Sequence, residues 1–192
     1  MKKFKIAIFA SGSGSNAEAI MKYFKNHEDI GIELLLTNNP NAYAIERAKK
    51  FGVVCKVFTK QDVEAETILE WLRAAGITHV VLAGYLWLIP EYLVKAYPEG
   101  IVNIHPALLP KYGGKGMYGM KVHEAVRAAN ESETGITIHL VNTKYDEGKI
   151  LAQKRVRVSE SDTPHDIAVK VHELEHEFYP EIIRDWILNL KS

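Results

Sequence analysis

Three stretches of this chain carry side chains whose types and spacing can do chemistry. VNIHPALLP, residues 102–110, puts Asn103 and His105 two positions apart. On a strand such a pair faces one side of the sheet. An amide beside an imidazole suits a developing oxyanion, although taken alone the pair fits a hydrogen-bonded structural histidine at least as well. The second stretch is KYDEGK, residues 144–149, whose Asp146 reads by itself as a turn residue with glycine two places on. Asp146 gains meaning if the fold brings it to His105, where a carboxylate would raise the imidazole pKa and keep the ring protonated. The third is HELEH, residues 172–176, which matches the H-E-x-x-H pattern of helical zinc hydrolases. Extended forms of that motif need a histidine ten residues after the first, and Ile182 stands there; forms with a more distant glutamate have few residues left before Ser192. No metal is expected.

A fourth stretch could hold a ligand. SGSGSN, residues 11–16, joins an apolar run to a helical pattern. A turn of small residues at a helix N-terminus presents backbone N–H groups to an anion, and a phosphate suits it. From Gly12 to Ala17 it also reads G-x-G-x-x-A, a variant of the dinucleotide fingerprint. That fingerprint wants an acid at the end of the second strand, where this chain has LLLTNNP; Glu33 comes too early. A phosphate site is expected, and NAD is not.

The elements that must position these residues follow from periodicity. Strands are expected at KIAIFA (5–10), IELLLT (32–37), VVCKVF (53–58), HVVLAG (79–84) and GIVNIH (100–105). Helices fall between them: from Ala17 to Phe24, from Ala42 to Phe51 stopped by Gly52, from Asp62 to Ala75 closed by Gly76, and a short one opened by Pro90. Nearly all-apolar strands alternating with helices argue a parallel sheet covered on both faces. Beyond them TGITIHLV (134–141) and ILAQKRVRV (150–158) alternate, which predicts a more exposed antiparallel pair. Thr163-Pro164 then caps a long helix with Ile167, Val171, Leu174 and Phe178 as its buried stripe. On that helix His172, Glu175, His176 and Tyr179 share a neighbouring face. The Pro- and Gly-rich segment 106–120 reads as a loop.

With 192 residues and no visible linker, residues 1–192 read as one domain. Lys+Arg and Asp+Glu both total 24, so neither a nucleic acid nor another polyanion is an expected partner. The lone Cys55 permits no internal disulfide and reads as a buried strand residue. No segment is apolar for long enough to span a membrane. The apolar run Ile6 to Ala10 is too short for a signal peptide, so a cytoplasmic protein is expected.

Taken in order, SGSGSN, LAGYLWLIP, NIHPALLPKY, the His139/Asp146 pair and HELEHEFYP resemble the phosphoribosylglycinamide formyltransferase family, over essentially Lys5 to Trp186. The resemblance implies an α/β, Rossmann-like formyltransferase fold, with a mainly parallel sheet, helices on both faces and an antiparallel pair added in the C-terminal half. It implies transfer of a formyl group from 10-formyltetrahydrofolate to phosphoribosylglycinamide in purine synthesis, without a metal. By the same resemblance Asn103, His105 and Asp146 are catalytic, and Gly14, Ser15, Asn16, His172 and Glu175 bind the glycinamide substrate. Folate is implied along Leu86, Trp87, Leu88 and Ile89, at Asn103, and along Asn142, Thr143, Lys144, Tyr145 and Asp146. The chain departs from the family pattern at Trp87, where an arginine is common, and at Lys149, where a proline is common. Lys60 or Gln61 is nearest to an arginine that meets the folate tail in many members.

Overall fold

The computed structural model describes residues 2–189. They form β1 (Phe4–Phe9), α1 (Ser15–Phe24), β2 (Ile30–Thr37), α2 (Ala44–Lys50), β3 (Val54–Val57), α3 (Lys60–Glu64), α4 (Thr67–Ala74), β4 (His79–Leu82) and α5 (Glu91–Ala96). After these come β5 (Ile101–His105), α6 (Met120–Ala128), β6 (Glu133–Leu140), β7 (Ile150–Arg157) and α7 (Pro164–Ile187). Seven strands hydrogen-bond in the order β3-β2-β1-β4-β5-β6-β7. Strand β1 runs parallel to β2 and β4, β2 runs parallel to β3, and β6 pairs antiparallel with β7. The expected mixed α/β sheet is present. Two compact units divide the chain between Val102 and Asn103, inside β5.

The first unit is built on β1. Ile6, Ala7, Ile8, Phe9 and Ala10 are wholly buried, as an interior parallel strand requires. Helix α1 packs on β2, and α2 on β2 and β3. The chain leaves β1 outward through β2 and β3, then returns to β4 on the other side of β1, so the strand order reverses between β1 and β4. In such sheets the crevice beyond the carboxyl ends of the strands at that reversal takes the ligand. Here the SGSGSN turn follows β1. It is stitched to its neighbours: Ser11 N–H donates to the Gly84 carbonyl (3.1 Å), and Ser11 Oγ donates to Asn38 Oδ1 (2.7 Å).

Two expectations fail in this unit. The helix expected from Asp62 to Ala75 is two helices broken at Glu66, whose φ is +56°. Thr59 and Asp62 form a reciprocal capping box that starts α3 at Lys60. Helix α3 buries no residue, whereas Ile68, Leu69 and Leu72 of α4 are buried, so the two share no apolar stripe. Cys55 is half-buried rather than buried, because β3 is an edge strand whose Val54 and Val57 are 57% and 43% exposed.

In the second unit α7 packs on β6, β7 and α6. Strand β6 is not exposed: every residue from Thr134 to Leu140 is buried, and only β7, at the sheet edge, is open. Thr137 and His139 of this alternation find hydrogen-bond partners inside, whereas the buried Thr134 Oγ1 has none. Thr137 Oγ1 donates to the Ala107 carbonyl (2.7 Å) and accepts from Leu109 N–H (2.9 Å). The Thr163 cap of α7 is present as a capping box with Asp166. The buried stripe of α7 is rotated from the expected one. Ile167, Val171, Glu175, Tyr179 and Ile182 are buried, while Leu174 and Phe178 are half-buried. Helix α6, which buries Val122, His123 and Val126, begins where the loop expected over 106–120 ends and was not among the expected elements.

Candidate active site

All of the catalytic candidates lie in the second unit, and the fold gathers them. Alternation on β5 turns Asn103 and His105 to one side, with Ile104 turned away. His139 on β6 comes to 3.1 Å from Asn103, its Nε2 facing Asn103 Nδ2. Asp146 enters from the segment between β6 and β7. Its backbone is left-handed, at φ +57°. Leu140 N–H donates to the Lys149 carbonyl (2.8 Å), closing the segment back on β6. Gly148 is required there, since a Cβ would collide with the Leu140 carbonyl. The Asp146 carboxylate then reaches two imidazoles: Oδ2 is 3.5 Å from His105 Nδ1, and Oδ1 is 3.6 Å from His139 Nε2. It also accepts the Gly114 N–H at 2.8 Å.

Carbonyl oxygens fix which ring nitrogens carry hydrogen, because a carbonyl only accepts. His139 Nδ1–H donates to the Leu140 carbonyl (2.9 Å), so in the neutral ring Nε2 accepts from the Asn103 amide. One N–H of Asn103 is thereby used and the second is left for a ligand. His105 Nε2–H donates to the Tyr112 carbonyl (2.7 Å), leaving Nδ1 toward Asp146.

Burial lowers the His105 pKa below its ordinary value, and the Asp146 charge and the Tyr112 carbonyl only partly oppose it. This corrects the sequence expectation: Asp146 does raise that pKa, but a ring 4% exposed loses more by desolvation. At rest His105 is mainly neutral. Burial pushes the Asp146 carboxyl up, yet contacts with His139, His105 and the Gly114 N–H hold it below its usual value, so it is ionised.

Around this cluster lie His172 and Glu175 on α7, one turn apart. Glu175 is 4% exposed and its Oε2 sits 2.8 Å from His172 Nδ1. That hydrogen bond raises the His172 pKa, against partial burial. His176 stacks on His172 at the surface, with ring centroids 6.2 Å apart. Among the described residues no three His, Cys, Asp or Glu side chains gather as a metal ion would need. His123 on α6 was not singled out in the sequence. It is 2% exposed, its Nδ1 has no partner, and burial lowers its pKa to about 4, helped by His172 and His105 and opposed by Glu175. The spacing of Val122 and Val126 around it was the available signal.

The phosphate candidate lies in the first unit. Gly14 caps α1 with φ +72°, and a Cβ there would meet Ala44 Cβ at 2.6 Å, so only glycine fits. No side chain caps the helix. Arg47 stands at the turn, donating from Nε to the Ser13 carbonyl (2.9 Å) and pairing with Glu18. Of the folate candidates in this unit, Leu86 and Leu88 are exposed, Ile89 is buried, and half-buried Trp87 packs edge-on against Phe58. Leu86 N–H donates to Ser11 Oγ (3.2 Å), tying this segment to the turn. In the second unit Asn142 Oδ1 accepts from Lys144 N–H (2.8 Å), an Asx turn that leads into Asp146; Thr143 and Lys144 are exposed and Tyr145 is half-buried.

Half-buried Asn103 and Asp146 thus surround the buried rings of His105 and His139, and comparison with known proteins gives the class. Residues 4–183 match the family described as formyl transferase, and the chain belongs to that family. A chloroplastic phosphoribosylglycinamide formyltransferase of Arabidopsis thaliana is 43% identical over 189 residues, and a second, from Vigna unguiculata, is 40% identical over 191. The chain spans 65% and 61% of the lengths of these plant relatives. The phosphoribosylglycinamide formyltransferase of Bacillus subtilis is 40% identical, with 96% of this chain and 94% of that protein covered. The crystal structure of phosphoribosylglycinamide formyltransferase from Bacillus halodurans is 37% identical, with 95% of each chain covered and a TM-score of 0.86.

Proposed function

We propose that this protein transfers the formyl group of 10-formyltetrahydrofolate to the amine of 5-phosphoribosylglycinamide, a step of de novo purine (IMP) biosynthesis. The observation that carries the reading is the contact of half-buried Asn103 and Asp146 with buried His105 and His139 within one unit of a formyl transferase chain. Relatives that match nearly the whole chain and bear the same activity in their names support the substrates. Residues 1–192 act as one formyltransferase domain, since the family match runs through the division at Val102. The partners are the two small molecules, and a cytoplasmic location fits a protein in which no described helix is long and apolar enough to cross a membrane.

In this reading the amine nitrogen attacks the formyl carbon directly. The carbonyl π electrons move to oxygen, and the free N–H of Asn103 donates to the oxyanion. A single donor of this kind is typically worth about 10²–10³ in rate. The amine must lose a proton, and the folate nitrogen must gain one as its bond to the formyl carbon breaks. His105, neutral at rest, takes the amine proton at Nδ1 beside ionised Asp146, and the resulting cation offsets the charge on oxygen. The oxyanion then re-forms the carbonyl, the bond from carbon to the folate nitrogen breaks, and the proton passes from His105 to that nitrogen. In the same reading Gly14, Ser15 and Asn16 of the first unit hold the substrate phosphate, and Glu175 and His172 of the second unit are further substrate contacts. The folate donor takes the 86–89 and 142–146 segments.

The test is to mix the protein with 10-formyltetrahydrofolate, with and without phosphoribosylglycinamide, and to follow release of the deformylated folate. Release that requires the amine is expected. Release at the same rate without it would show a hydrolase.

A further inference from the structure

We propose that Glu131 is a positioning residue for the reaction: it anchors the phenol of Tyr112, and the backbone so anchored holds the His105–Asp146 pair. The inference rests on the reading of His105 and Asp146 given above. Tyr112 adopts a left-handed backbone, φ +56°, which L side chains avoid because Cβ crowds the carbonyl. Such a conformation persists only where its surroundings hold it, and here both ends of the residue are held. Its carbonyl accepts His105 Nε2–H at 2.7 Å. Its hydroxyl donates to Glu131 Oε1 at 2.8 Å, and Lys111 Nζ donates to the same oxygen at 2.8 Å.

The next two residues extend the clamp. Gly113 has no room for a side chain, since its Cβ would lie 2.5 Å from Leu109 Cδ2 and 3.3 Å from Asp146 Cβ. Gly114 N–H donates to Asp146 Oδ2. Tyr112 and Gly114 therefore touch the histidine and the carboxylate, and Gly113 between them has no room for a side chain beside Asp146. The Tyr112 carbonyl also decides the histidine tautomer, and with it which nitrogen meets Asp146. Glu131 leads into β6, outside this segment, so it ties the clamp to the sheet. Contacts with Lys111 and Tyr112 hold its carboxyl below the usual range, which keeps it an acceptor at neutral pH.

The groups bearing on the charge of His105 are Asp146, the Tyr112 carbonyl, His139 and Glu175, with His123 also within electrostatic reach. Loosening Tyr112 weakens a contact that raises the His105 pKa, so the pKa falls. The test compares Tyr112→Phe, Glu131→Ala and Glu131→Gln by steady-state kinetics and by an NMR titration of His105 without substrates. Tyr112→Phe and Glu131→Ala are expected to lower kcat about fivefold or more, the effect of one ordinary hydrogen bond, with both KM values little changed and the His105 pKa lowered. Glu131→Gln, whose amide oxygen still accepts from the phenol, is expected to stay near wild type. An unchanged kcat and an unchanged titration in Tyr112→Phe would overturn the proposal, as would Glu131→Gln behaving like Glu131→Ala. Tyr112→Phe removes a single oxygen, so it carries the test even where Glu131→Ala lowers stability. If wild-type protein transfers no formyl group, the functional reading fails, while the titration still decides whether Tyr112 holds His105.

Discussion

Asp146 Oδ2 lies 3.5 Å from His105 Nδ1, and the carboxylate is the chief group raising the pKa of a histidine that burial lowers. Replacing Asp146 with asparagine removes that opposing charge. The His105 pKa is expected to fall further, and kcat to drop by about two orders of magnitude, on the scale of a lost acid–base partner. Phosphate binding, assigned to another part of the chain, should be nearly unaffected. An NMR titration that found the His105 pKa unchanged would remove Asp146 from this role.

The turn after β1 makes two separable predictions. Ser15→Asp puts a negative charge where a phosphate is expected, so KM for the glycinamide substrate should rise far more than KM for the folate. Equal effects on the two would count against the assignment. Gly14→Ala should act through structure. Its left-handed backbone costs an L residue roughly 1–2 kcal/mol, and the added Cβ meets Ala44. A melting temperature equal to that of wild type would show that the turn has room to move.

How much of this was legible in the sequence follows from what kind of interaction made each part. Buried parallel strands such as β1 announce themselves as short apolar runs, and SGSGSN, Asn103, His105 and Asp146 stand out because residue type and spacing suggest the roles proposed for them. The Tyr112 carbonyl was not, since a backbone group leaves no mark in residue type. The buried state of β6 was hidden by Thr134, Thr137 and His139, polar residues that read as solvent-facing. The resting charge of His105 could not be read either. A nearby aspartate predicts a raised pKa, and only the burial of the ring shows that desolvation wins.

The His172–Glu175 pair gives a pH dependence of stability with a definite sign. Its hydrogen bond raises the folded-state pKa of His172 above the ordinary value of about 6.5. The pair's contribution is therefore fully present below that ordinary value and is lost as pH rises through the folded pKa. His105, His123 and His79 have lowered values and act in the opposite sense, favouring the folded state as pH rises toward neutral. The clean measurement is the difference in melting temperature between wild type and Glu175→Gln. That difference should shrink as pH is raised from below 6.5 (about the ordinary histidine value) through the folded pKa. A difference independent of pH would mean that His172 is not the group responding.

The same pair bears on what HELEH is for. In a zinc hydrolase the working carboxylate would be Glu173, flanked by two metal-bound histidines. In this structure Glu173 is exposed, and His172 donates to Glu175 instead. Glu175 is buried on the stripe formed with Val171 and Tyr179, where neighbours lie three or four residues apart. A buried carboxylate that also acts on the charges of His105 and His123 fits the proposed contact with a substrate amine. Glu175→Ala is therefore expected to raise KM for the glycinamide substrate about tenfold or more, since hydrogen bonds to charged groups contribute about 1.5–3 kcal/mol. Glu173→Ala should leave kinetics near wild type. The kinetics of both variants, with the metal content of the purified protein, check this directly. One tightly bound zinc per chain, lost with activity on dialysis against a chelator, together with a severe Glu173→Ala defect, would restore the hydrolase reading.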